Sequence, residues 1–169
     1  MATRPTGTEP DSAAIAAEFA QWLDRVRATY EAVEFTVSHR LADPGLAPQV
    51  AVQVAAGLVS RPMVFRFQGL PYSGRIARLA ETRIAEADAG VLARVCGWTE
   101  LRARLEELPD HHRHVLVRAC VRGEDTETLA AALACDEAAA TARRAATLAF
   151  MHEIAAPGLP PAPDPDERG

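Results

Sequence analysis

Residues 129–145 read LAAALACDEAAATARRA, two alanine-rich runs on either side of a short Ala-Cys-Asp break. Alanine is the strongest helix former, and only Thr141 in this stretch is β-branched, so a strand is disfavoured throughout. The spacing predicts a helix ending near Leu133, a tight turn at 134–136 and a second helix from Glu137 to about Ala155, the outline of a helix-turn-helix. Upstream, Asp125 or Thr126 is a natural N-cap. Gly123 ends the helix before it, as a left-handed cap does.

The rest of the chain repeats this helical grammar. Ile15, Phe19, Trp22, Leu23 and Val26 recur at helical spacing behind a cap at Asp11 or Ser12, and Tyr30, Val33, Val37 and Leu41 extend the series. ADPGLAP breaks it with two prolines and a glycine. Helices follow over Ala47–Ser60 and 75–87, separated by the turn-rich RPMVFRFQGLPYSG. EADAG divides the halves, and a further helix is expected over 91–108 before DHHRHVLVRACVRG. With aromatics at only 5%, the fold class expected is all-α: two small helical domains able to pack together. The expected boundaries are a flexible 1–10, a first domain over 11–87, a linker at 88–99, a second domain over 100–156 and a disordered, Pro-rich acidic tail over 157–169.

Several function classes drop out on charge and composition. The net charge of -5 opposes broad nucleic-acid affinity, which draws on excess positive charge. Every one of the 18 basic residues is arginine, a usage expected of a GC-rich bacterial genome. Cys96, Cys120 and Cys135 are odd in number and widely spaced, so they read as small apolar residues. No apolar run approaches the ~20 residues that span a bilayer, and MATRPTGTEP is unlike a secretory signal, so a cytoplasmic protein without membrane contact is expected. On a helix His111 and His114 share a face while His112 points elsewhere, and no zinc spacing completes a site. No nucleophile elbow or phosphate-binding glycine loop is present, so neither enzyme activity nor a metal or other cofactor is expected.

LPDHHRHVLV, GEDTETLAAALACD and EAAATARRAATLAF, taken without a gap, resemble region four of sigma factors of the extracytoplasmic-function type. Leu108, Pro109, Arg113, Val115, Leu116, Gly123, Leu129, Ala130, Leu133 and Arg143 hold the family's spacing. RLADPGLAPQVAVQVAAGLVSRPMVFRFQGLPYSGRIARLAETRIAEA resembles region two of the same family, through Arg40, Leu41, Asp43, Pro44, Gln53, Val54, Phe65, Ile76, Ala77 and Arg78. The resemblance implies a bacterial transcription protein that engages core RNA polymerase and directs or modulates promoter-specific initiation. It implies polymerase contacts at Arg40, Asp43, Gln49 and Gln53. Promoter opening falls to a loop carrying Phe65, Arg66, Phe67, Tyr72, Arg75 and Arg78, and the upstream promoter element to Thr141, Arg143 and Arg144. An anti-sigma or other regulatory protein is a further partner that it implies.

The residues themselves bear on these roles. Arg61, Arg66, Arg75, Arg78 and Arg83 are accompanied by one acid, Glu81, and are interleaved with Phe65, Phe67 and Tyr72. Cations beside stacking platforms are what single-stranded DNA requires. In contrast, the helix after the Asp-Pro turn has Pro48, Gln49 and Val50 where the family carries acids, and Leu79 replaces its asparagine. The second helix of 129–145 starts with Asp136 and Glu137, acids where phosphates would approach. Residues 100–155 hold ten acids against seven arginines, a net of -3. These departures define the alternative expectation, a degenerate sigma scaffold that serves as a protein-interaction module or regulator without reading DNA.

Overall fold

The computed structural model describes residues 8–66 and 74–161. Among these the chain forms seven α-helices and no strand. Helix α1, Thr8–Ser38, buries Ile15, Phe19, Trp22, Val26, Val33 and Val37, the apolar series of the sequence, along one side. It starts before Asp11 and Ser12, so neither is the cap; Asp11 is engaged elsewhere, as described below. The Asp-Pro turn forms a 3-10 turn, Pro44–Leu46, in which the Asp43 carboxylate accepts from the Gly45 amide at 2.9 Å.

Helix α2, Ala47–Ser60, has the bounds expected from its sequence. Val50, Ala51, Val52, Val54, Ala55, Ala56, Leu58 and Val59 are all buried, as is Gln53. A helix that is apolar all round needs neighbours all round. It has them: α1, α3 (Gly74–Asp88), α4 (Trp98–Glu106), α7 (Glu137–Ala155) and the 3-10 turn Ala156–Gly158 all pack against it. Helix α3 contributes a stripe of Ile76, Ala80, Ile84 and Ala87, spaced by four, four and three residues.

Residues 91–97, expected to be helical, have no regular structure, and α4 starts only at Trp98. The segment lies along α2. Gln49 donates to the Val95 carbonyl at 3.1 Å and accepts from the Val95 amide at 2.9 Å, and Gln53 donates to the Ala93 carbonyl at 2.6 Å. Two side-chain amides thus replace the intrahelical bonds that these backbone groups would otherwise make. The start of the Pro-rich tail is packed as well. Pro157 accepts from the Cys96 amide at 3.0 Å, and Gly158 sits so close to α2 that a Cβ there would be 2.9 Å from that of Ala56.

Helix α5, Asp110–Leu116, runs into a π turn, Val117–Val121, closed by the Arg122 amide on the Val117 carbonyl at 2.8 Å. Gly123 follows at φ +70°, the left-handed conformation expected of it. Helix α6, Thr126–Leu133, leads through the turn to α7. The two halves share one buried core running from Ile15 to Ala155. Trp98 stacks on Tyr30 of α1 with ring centroids 4.8 Å apart, and the Arg113 guanidinium lies 4.6 Å over the Phe19 ring.

Candidate nucleic-acid interface

The helix-turn-helix is built by its caps. Asp125 accepts from the Thr128 amide at 2.8 Å to start α6, and this bond holds its carboxyl below the usual carboxylate range. Helix α6 ends in a Schellman arrangement, with Ala134 N–H on the Ala131 carbonyl and Cys135 N–H on the Ala130 carbonyl. Ala134 takes the left-handed conformation, φ 54° and ψ 46°. Asp136 then caps α7 by accepting from the Ala139 amide at 2.7 Å. The acids at the start of α7 therefore have a structural task of their own, which explains Asp136 at least.

On α7, Thr141 and Arg143 are exposed. Arg144 is half-buried and turned back to α6, with Nη1 3.5 Å from the Thr126 hydroxyl. It also faces Cys120, as does Arg66 of the arginine-rich loop, whose guanidinium lies against the Cα of Gly123. A residue of each expected DNA-contact set is thus brought to one place. Burial dominates at Cys120 even so, and pushes its thiol up to about 12.

Around the loop, Phe65 packs against the core, and Arg75 donates to the Val64 carbonyl at 3.1 Å. Arg61, Arg75 and Arg78 join Phe65 along an open groove of ≈ 490 Å³. Phe67 and Tyr72 lie outside the described residues. The positions expected to meet polymerase are engaged within the chain. Arg40 makes a two-bond ion pair with Glu81 of α3, Nη2 to Oε2 at 2.8 Å, and Asp43 caps its own turn. Gln49 and Gln53 hold residues 91–97, and Gln53 is 1% exposed.

A charged cluster that the sequence does not announce joins α1 to the stretch before the helix-turn-helix. Arg118, 9% exposed, donates to His114 Nε2 at 2.8 Å, to Glu124 at 3.0 Å and to Asp11 of α1. Arg122 pairs with Glu18 of α1 at 2.6 Å. The signal was present: Asp11 and Glu18 are two turns apart on one helix face, and Arg118 and Arg122 one turn apart on another. Nothing local announced that the two faces meet. Among the described residues no group of three or more His, Cys, Asp or Glu is disposed to hold a metal ion, and no helix is long and apolar enough to cross a membrane. Comparison with protein-family models, with curated proteins and with solved structures gives no match to this chain.

Proposed function

We propose that the chain is a sigma-like scaffold that acts in transcription as a protein-interaction module, rather than a factor that carries core RNA polymerase to promoters. One observation carries this reading. Helix α2, which the family resemblance would present to polymerase, is buried on all sides, and its glutamines are bonded to residues 91–97. Freeing it would expose about ten apolar or neutral side chains to water, at roughly 1 kcal/mol or more for each valine or leucine. A docking surface that must be unfolded to be used is a poor one. The reading assigns the chain no catalytic role.

Purified full-length chain, passed over immobilised core RNA polymerase at physiological salt, is expected to flow through. From a lysate it is expected to retain one protein at equal stoichiometry. Retention by core polymerase together with promoter-specific transcripts would reverse the reading. Exposure of Thr141 and Arg143 and the groove lined by Arg61, Arg75 and Arg78 favour a second reading, in which α7 and the loop contact DNA. That reading requires an affinity for duplex that falls steeply as salt rises.

A further inference from the structure

Between α5 and α7 lies a cleft of ≈ 860 Å³, within the size range of small-molecule sites. Its apolar lining comes from Val115, Leu133 and Ala146, and the other six of its nine lining residues carry polar groups, some of them held in place. Thr147, 2% exposed, has its hydroxyl 2.8 Å from His112 Nδ1, and the His112 ring stacks on Phe150 with centroids 4.4 Å apart. His114 is fixed from behind. An arginine N–H can only donate, so the bond from Arg118 makes Nε2 of His114 the acceptor and leaves the ring neutral with its proton on Nδ1. That Nδ1–H has no hydrogen-bond partner among the described residues.

Only two of the lining residues are charged. Arg143, one turn before Thr147 on α7, lines the cleft and makes no hydrogen bond or ion pair among the described residues. Asp110, in the first turn of α5, lines it too. An apolar patch, the neutral His114 imidazole with its N–H donor and one uncommitted guanidinium suit a flat apolar body with a single anionic end.

We propose that this cleft binds a small aromatic carboxylate, its ring against Val115 and Leu133 and its carboxylate on Arg143. Asp110 repels such a ligand and sets an upper bound on its affinity. The ligand takes the same guanidinium that α7 could offer to a phosphate, so occupancy withdraws Arg143 from that use. None of this depends on whether the chain engages polymerase.

Benzoate titrated into the full-length chain, followed through the imidazole ¹H–¹⁵N signals, tests it. Saturable shifts of the His112 and His114 rings are expected, with benzyl alcohol, similar in size but uncharged, binding far more weakly. Arg143→Ala should weaken benzoate by about ten-fold, the worth of one charge-assisted contact, and leave benzyl alcohol unchanged. Asp110→Asn should tighten benzoate. Both positions are exposed, and unchanged melting temperatures would show that the variants fold. Absence of saturable shifts at these rings, equal affinity for the alcohol, or indifference to Arg143→Ala would each overturn the proposal.

Discussion

Ala134 holds the left-handed conformation that a side chain resists, in a turn where glycine would meet no such penalty. Its amide and that of Cys135 close α6, so the turn tolerates the strain for the sake of two bonds. Ala134→Gly is expected to raise stability by about 1 kcal/mol, read as a higher midpoint in urea, because relief of strain outweighs the added freedom of the unfolded chain. Two residues on, Asp136 combines a cap with an unhelpful charge. Asparagine caps as well as aspartate does. The double variant Asp136→Asn, Glu137→Gln therefore keeps α7 and removes two negative charges from its exposed start. Affinity for duplex DNA should rise several-fold at low salt, measured by fluorescence anisotropy, if α7 lies against the duplex at all. An unchanged affinity would take α7 out of any DNA interface.

Among the elements, α2 was legible to the residue, since its apolar positions fit a helix behind a proline, although Gly57 and several valines pull against one. Asp136 was read for its charge and its capping of α7 was missed, whereas the helix-turn-helix was legible through Asp125 and Gly123, residues that act on their own neighbours. Residues 91–97 were misread for the opposite reason. Leu92, Val95 and Cys96 look like a helical stripe, but the groups that decide the backbone, Gln49 and Gln53, lie some forty residues upstream. The same glutamines had been assigned outward to a partner. Gln49 supplies both a donor and an acceptor to Val95, so Gln49→Ala strands a carbonyl and an amide that are partly buried. It should cost about 1–2 kcal/mol and speed hydrogen exchange at the Val95 amide well beyond that of the α2 core. Exchange that stays slow at Val95 would show that the segment is held by packing alone.

Over the whole molecule, the contact between α1 and the stretch before the helix-turn-helix rests on groups that titrate. His114 accepts from Arg118, and Arg118 in turn bonds Glu124 and Asp11; Arg122 adds Glu18. Sequence periodicity could show each helix face but not this meeting across more than a hundred residues. Burial, and then the Arg118 guanidinium, hold the His114 pKa below its ordinary 6.5, although Asp11 and Glu124 pull the other way. Burial, and then His111, do the same for His112 beside Thr147. A depressed histidine binds fewer protons folded than unfolded, so stability is fully present above 6.5 and declines as pH falls through the lower folded values. The carboxylates of Glu81, beside Arg40, and Asp125, on the Thr128 amide, are depressed as well, but their loss comes in a separate range below their ordinary values near 4. Melting temperature should thus be level from about pH 7 to 8, fall on the acid side through a first step in the histidine range and a second in the carboxylate range, and fall on the alkaline side because burial raises the Cys96 and Cys120 thiols. His114→Gln keeps an acceptor for Arg118 and cannot take a proton, so it should shrink the first step and leave the second unchanged. A first step of undiminished size in that variant would assign it to His112, or to histidines outside this contact.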